Sequence, residues 1–187
     1  MRALLIGLAV GALLPAAVSA QDIPLVPGTL EFAPIGGASI PFGDFNLVAE
    51  PGYGIGGTLS FYVMPNLAVG AGAAYNSYGL DVDPTNTASL SMWEFTGHAK
   101  YLLIPGPVSP YLKGTAGLYR QSFEAEGSPA ASSSDLGVGG GMGIQLHIPG
   151  SQFGIFGESV VNVAFTENTN TTYYTLRAGL NFTKSVR

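Results

Sequence analysis

Alternation of apolar residues with polar or small ones is the feature of this sequence that most limits its fold. Successive side chains of a β-strand point to opposite faces, so a period of two predicts a strand with two unlike faces. In the segment 172–182, for example, Leu176 and Leu180 share one face while Arg177 lies on the other. Eight such segments follow one another, at about 29–40, 53–63, 67–78, 90–103, 110–123, 135–148, 153–166 and 172–182.

The connections between these segments alternate between short and long. Compact turn sequences at 64–66, 105–107 and 149–151 separate longer polar stretches at 41–52, 80–89, 124–134 and 167–171. An even number of strands, with tight turns at one end and longer loops at the other, is typical of outer-membrane barrels. We therefore predict an all-β fold, an eight-stranded antiparallel up-and-down transmembrane β-barrel. Pro34 makes the first strand the least regular one.

The first twenty residues have the pattern of a secretory signal peptide. A positive charge at Arg2 is followed by an apolar run of about sixteen residues and then by small residues up to Ala20. The run is shorter than the ~20 residues that a membrane-spanning helix needs. We therefore expect cleavage between Ala20 and Gln21, with residues 1–20 as the signal peptide and residues 21–187 as one outer-membrane β-barrel domain.

Charge and cysteine content exclude several classes of function. Charged residues make up 10% of the chain, against roughly 25% in a typical soluble domain. All 12 acidic residues but only 6 of the 7 basic ones follow residue 20, which leaves the exported part with a net charge of −6. A nucleic-acid partner would require clustered Lys and Arg, so none is expected. The absence of cysteine excludes a disulfide framework and a thiolate metal site.

The alternation alone leaves open which face of the barrel is outside. A soluble, lipocalin-like barrel would point its apolar face inward and its charges into water. Two observations favour a membrane barrel with the apolar face outward. The charged face is rich in glycine and alanine, as expected in a narrow lumen, and aromatic residues lie near strand ends on the apolar face, as in an interfacial girdle. These aromatic residues are Trp93, Tyr101, Phe153, Phe165, Tyr174 and Phe182.

Three stretches carry a resemblance to a known family: residues 36–44 (GGASIPFGD), residues 64–70 (MPNLAVG) and the final strand, 174–182. With them the chain resembles the small outer-membrane barrel proteins that include OmpA, OmpX and OmpW. The resemblance implies a C-terminal assembly signal, although five residues follow Phe182, where the family commonly ends in phenylalanine. The residues of this implied signal are Tyr174, Leu176, Leu180 and Phe182.

The same resemblance implies a location and partners. We expect the outer membrane of a Gram-negative-type bacterium, with outer-membrane lipid and lipopolysaccharide around the barrel. The barrel-insertion machinery and periplasmic chaperones are the expected partners during assembly. We expect a monomer.

Placing the charged face inward puts three acids, three bases and one histidine in the lumen. They are Glu31, Glu94, His98, Lys100, Lys113, Glu158 and Arg177. Counting through the tight turns places Glu158 opposite Arg177 on one side and Gly143 on the other. The same count places Lys100 opposite Lys113, which could reach over glycines of the sixth strand towards Glu158. We expect a charge-compensated plug in which Glu158 also pairs with Arg177; a lumen of merely hydrated charges is the alternative.

Motifs for catalysis and cofactor binding are matched only in part. Residues 52–57 fit the dinucleotide pattern G-x-G-x-x-G but continue into a strand rather than a helix. Residues 81–86 begin like a calcium loop but lack its turn glycine and bidentate glutamate. Lipid A deacylases and palmitoyltransferases, barrel enzymes similar in size to this chain, use a histidine with a serine in arrangements that neither His98 nor His147 has. We expect no enzymatic activity, no cofactor and no metal ion.

The expected function follows from the size of the barrel. Eight strands enclose an interior just wide enough to be filled by their own side chains. We therefore expect a structural protein that contributes to envelope integrity or cell-surface interaction. The alternative is a narrow channel or a conduit for a small solute, including an apolar one, with glycines of the second, third and sixth strands leaving the space.

Overall fold

The structure, a computed structural model, describes residues 25–47, 49–80, 88–125, 131–166 and 170–186. The predicted signal peptide and its cleavage site at Ala20 and Gln21 lie outside these residues. Within them a 3-10 helix, Gly43–Leu47, follows the first strand. The strands are β1 (Thr29–Phe42), β2 (Gly52–Met64), β3 (Leu67–Gly79), β4 (Ala88–Leu102), β5 (Val108–Ala125), β6 (Ala131–His147), β7 (Phe153–Ala164) and β8 (Thr171–Ser185).

Each strand pairs antiparallel with its neighbours in the chain, and β1 pairs with β8, so the sheet closes into a barrel. The predicted eight-stranded antiparallel barrel is therefore confirmed, and each predicted segment corresponds to one strand. The irregularity expected at Pro34 affects only the pairing of β1 with β8. Pro34 pairs with Gly57 of β2, but the ladder to β8 is interrupted between Phe32 and Ile35 without a change of register, because proline has no N–H to donate.

Apolar side chains face outward and polar ones inward, which is the inverse of a soluble barrel. Phe32, Ile55, Phe95 and Met142 are all more than half exposed on the outer wall, whereas Glu31 is only 2% exposed. This confirms the prediction that the apolar face lies outside. A wall of this kind is suited to lipid rather than to water.

The two ends of the barrel differ in their connections. At one end, here called the turn end, residues 65–66, 103–107 and 148–152 join the strands. At the other, the loop end, residues 43–51, 80–87, 126–130 and 165–170 do so. The prediction of a long connection at 124–134 was wrong, because β5 extends to Ala125 and β6 begins at Ala131. The serine-rich residues 131–134 are all exposed, so their sequence has no apolar alternation and gives no strand signal.

Apolar clusters fill the lumen near both ends. At the loop end, Phe45 from the 3-10 helix is buried and packs edge-on against Tyr78, with the two ring centroids 5.3 Å apart. Tyr119 and Tyr173 belong to the same cluster. At the turn end the cluster consists of Leu25, Tyr62, Ala68, Leu102 and Tyr111, with Phe156 packed against it. The polar side chains of the lumen lie between these clusters. No helix in the described part of the chain is long and apolar enough to cross a membrane.

Candidate functional site

The polar layer of the lumen is built from three repeated units, each with one carboxylate, one cation and one tyrosine. All seven ionisable side chains assigned to the lumen from the sequence do lie inside the barrel. The three acids and Lys100 are no more than 7% exposed. In every unit the cation and the tyrosine hydroxyl both donate to the same carboxylate. A buried charge is costly unless it is paired and hydrogen-bonded, and this arrangement satisfies both conditions.

The Glu158 unit crosses β6. The Lys113 ammonium lies 2.9 Å from both carboxylate oxygens of Glu158, and the Tyr111 hydroxyl donates to Oε2 at 3.0 Å. Both donors come from β5 and reach β7 across the intervening strand. Their path lies over Gly141 and Gly143, which pair with Lys113 and Tyr111. A Cβ on Gly143 would lie 2.4 Å from the Tyr111 ring, so only glycine leaves this path open.

The Glu94 unit spans the lumen near the loop-end cluster. Oε1 of Glu94 accepts from Arg177 at 2.9 Å, from the Tyr173 hydroxyl at 2.7 Å and from the Asn76 amide at 2.5 Å. Arg177 also donates to the Asn76 carbonyl at 3.3 Å. The unit therefore connects β3, β4 and β8 through side chains rather than through the sheet.

The Glu31 unit lies nearer the turn end. The carboxylate accepts from Lys100, from the Tyr62 hydroxyl at 3.0 Å and from the Asn181 amide at 3.4 Å. Lys100 also donates to Gln145 at 3.1 Å. Its ammonium lies 5.4 and 5.5 Å from the ring centroids of Tyr62 and Tyr111. Because Tyr111 belongs to the Glu158 unit, the two units share an aromatic wall.

The predicted pairing of Glu158 with Arg177 was wrong, although the predicted register was right. Glu158 is opposite both Gly143 and Arg177, and Lys100 is opposite Lys113. Lys113 nevertheless occupies both oxygens of Glu158, while the longer Arg177 extends across the lumen to Glu94. Cross-strand adjacency thus failed as a guide because an inward-pointing side chain in a narrow barrel reaches facing strands as easily as neighbouring ones.

His98 lies between these units, with its Nε2 2.9 Å from the Ser60 hydroxyl. Its Nδ1 has no hydrogen-bond partner among the described residues, so no carboxylate there orients the ring. Ser60 is 2% exposed. The adjoining cavity measures about 20 Å³, room for about one water molecule, and a second, also beside His98, about 10 Å³. His147, the last residue of β6, is buried at the turn end.

Sequence reasoning missed the side chains that complete the three units. The sequence did contain a signal for the tyrosines, since a large tyrosine on the glycine-rich inward face must find a hydrogen-bond partner for its hydroxyl. The inward amides could only have been assigned with the strand tilt known. The missed residues are Ser60, Tyr62, Asn76, Tyr111, Gln145, Tyr173 and Asn181.

The sequence matches the model of the outer-membrane protein β-barrel domain over residues 3–182. The chain belongs to this family. Its barrel therefore lies in the outer membrane, with the apolar wall described above against lipid. No protein with a curated description is significantly similar to the chain in sequence.

Solved structures of small outer-membrane barrels are similar to this member of the family. Neisserial surface protein A shares 19% identity over 83% of this chain and 96% of its own, with a TM-score of 0.62. Ail from Yersinia pestis shares 15% identity over 84% of this chain and 100% of its own, with a TM-score of 0.53. OprG from Pseudomonas aeruginosa shares 13% identity over 88% of this chain and 100% of its own, with a TM-score of 0.55. Identities this low show a common fold and leave function to the residues of each chain.

Proposed function

We propose that this chain is a structural outer-membrane protein whose filled barrel contributes to envelope integrity or cell-surface interaction. One observation carries the proposal: the lumen is packed by apolar clusters near both ends and by three paired carboxylates between them. Such an interior uses its Lys, Arg and Glu side chains to hold strands together, and among the described residues each of these lumen charges is paired.

The same interior argues against catalysis. The nearest approach to catalytic chemistry is the Ser60–His98 hydrogen bond, which has two parts of a nucleophile–base–orienter arrangement. It lacks the orienting acid among the described residues, and the cavity beside it has room for about one water molecule rather than a substrate. We therefore propose that the protein is not an enzyme.

The orientation and partners of the barrel are part of the proposal. We place the turn end in the periplasm and the loop end outside the cell, because tight periplasmic turns and longer external connections are the rule for such barrels. Lipid and lipopolysaccharide would cover the wall of a monomer. The barrel-insertion machinery and chaperones would act on β8, where Tyr174, Leu176, Leu180 and Phe182 share the outward face. A surface role also suits the similarity to Ail, described as an attachment invasion locus protein.

Conductance in planar bilayers tests the filled lumen directly. We expect protein whose folding is verified by heat-modifiable migration to show no conductance, since the two lumen cavities beside His98 measure only about 20 and 10 Å³ and are too small for a solute to pass. Stable single-channel steps would favour the alternative, a narrow channel or small-solute conduit. Lipid A analysed by mass spectrometry with and without the protein tests the absence of catalysis. A strain lacking the protein should be more permeable to detergents and dyes if the envelope role is right.

A further inference from the structure

The outer wall of the barrel carries an open groove that encloses about 780 Å³. The groove follows the register of the sheet and lies between two rows of outward-facing residues that pair from strand to strand. The row nearer the turn end consists of Gly36, Ala178, Gly157, Ile144 and Pro110, and the other row of Leu176, Ser159, Met142 and Leu112. The strand backbone between the two rows forms the floor of the groove.

The groove is inclined and spans about one leaflet of the membrane. It begins at Gly36, in the middle of β1, and ends at Leu103, which follows the last residue of β4 at the turn end. From β1 through β8, β7, β6 and β5 to β4 it crosses five strand spacings of about 4.8 Å, or about 24 Å. With strands tilted by about 35–45°, it rises by about 14–17 Å, half of the ~30 Å hydrocarbon core.

The side chains along the groove suit an apolar chain. Gly36, Ala178 and Gly157 have no side chain longer than a methyl group, so the groove is widest towards the middle of the wall. The Ser159 hydroxyl, the one polar side-chain group in the two rows, is paired with the Tyr174 hydroxyl at 2.5 Å. At the turn end, Tyr101 is 46% exposed and pairs with Leu112. Tyrosine at this level is typical of the boundary between hydrocarbon and headgroups.

We propose that the groove binds one acyl chain of a phospholipid from the leaflet at the turn end. The headgroup lies beside Tyr101 and the end of the chain near Gly36. Because the surrounding lipid is as apolar as the groove, the preference arises from van der Waals packing. A second copy of this chain is a poor occupant, since a symmetric dimer would place groove against groove and leave both unfilled. The inference deepens the lipid contact proposed above and rests on the periplasmic placement of the turn end.

Phospholipids that carry a photoreactive diazirine test the path of the chain in vesicles with the refolded protein. A diazirine near the glycerol should label peptides around Leu103, and one at the terminal carbon should label peptides around Gly36 and Ala178. The exposed Ala71 and Ala73, in the middle of the outward face of β3, lie outside the groove and serve as the reference. Equal labelling of the reference and the groove by the terminal probe would overturn the proposal, because lipid would then cover the wall evenly.

Two outward-facing glycines provide a matched pair of variants. A Cβ on Gly157 would meet nothing closer than 3.9 Å, and one on Gly140 meets nothing within 4 Å, but only Gly157 lines the groove. Gly157→Leu should reduce terminal-carbon labelling at Ala178 by about two- to fivefold, because the new side chain displaces the lipid from its contacts. Gly140→Leu should label like the parent, and both variants should unfold at the same urea concentration.

Two results with these variants would contradict a lipid chain in the groove. Equal labelling of Gly157→Leu and Gly140→Leu would show that the groove is not the path of the chain. Disulfide-linked dimers of Ala178→Cys, formed in vesicles, would show that a second copy covers the groove instead.

A separate measurement checks the placement of the turn end. Gln152→Cys should react with an impermeant maleimide only after the cells are lysed. Reaction in intact cells would overturn the periplasmic placement and direct the groove to the leaflet of lipopolysaccharide, which refutes phospholipid as the occupant even if the groove itself is labelled as expected. Reaction only after lysis, together with even photolabelling of the wall, would leave the placement intact and refute the groove as a lipid site.

Discussion

The two faces of β7 obey different rules. On the inner face, the carboxylate of Glu158 accepts hydrogen bonds from two particular side chains, Lys113 and Tyr111. On the outer face, Ile155 and Val161 lie about half exposed against lipid, and any apolar side chain would serve there. The interior is therefore specified residue by residue, whereas the wall is specified by composition and depth. Substitutions should reveal this difference, because inner ones depend on the partner and outer ones on position in the bilayer.

The largest effect is expected from breaking one inner pair. Lys113→Met leaves Glu158 buried without its cation and should cost about 3–5 kcal/mol. Adding Glu158→Gln should recover most of that loss, because the uncompensated charge is removed. Urea unfolding of the refolded barrel, followed by heat-modifiable migration on gels, measures both values.

The control for this pair is the combination of Glu158→Gln with Arg177→Met. Arg177 is opposite Glu158 but donates to Glu94, so Arg177→Met should not recover the loss caused by Glu158→Gln. Recovery in this combination, rather than with Lys113→Met, would mean that cross-strand adjacency sets the pairing after all.

The next largest effect is expected on the wall, where depth alone should matter. Met142 is 63% exposed halfway along the outer face of β6, and Ile148 is 55% exposed at its turn end. Met142→Arg should cost ~2–4 kcal/mol, while Ile148→Arg, near the interface, should cost at most ~1 kcal/mol. The same unfolding assay in lipid vesicles compares them, with Met142→Leu as the neutral control. Similar costs at the two positions would contradict a lipid-facing wall.

A smaller loss of stability is expected at a glycine that the Tyr111 side chain crosses. Gly143→Ala would place a methyl group 2.4 Å from the Tyr111 ring and 2.6 Å from the Gly157 carbonyl oxygen, and should cost ~1–3 kcal/mol. Gly140→Ala on the same strand meets nothing within 4 Å and should change stability by ~0.5 kcal/mol or less. If unfolding midpoints fall equally in both, the loss reflects backbone propensity rather than the path of Tyr111.

The sequence predicted the parts of this molecule that depend on alternation and turn chemistry. Strand number, register and the burial of Glu31, Glu94 and Glu158 all follow from counting along strands that alternate strictly. The partner of Glu158 could not be predicted this way, because the choice between Arg177 and Lys113 depends on strand tilt and side-chain reach. The β5–β6 ribbon escaped detection for another reason. Residues 131–134 at its loop end are all exposed, so its serines carry no alternation.

The smallest effect should come from a pair of hydroxyl groups on the wall. The Tyr174 hydroxyl lies 2.5 Å from the Ser159 hydroxyl, and both side chains belong to the outward face of their strands. Tyr174→Phe removes a bond between neutral groups and should cost about 1 kcal/mol or less. Tyr111→Phe removes a bond to a buried carboxylate and should cost ~1.5–3 kcal/mol. The ratio of these two losses, measured by urea unfolding in the same vesicles, compares the faces with one chemical change. A loss at Tyr174 as large as that at Tyr111 would mean that the wall, too, is specified residue by residue.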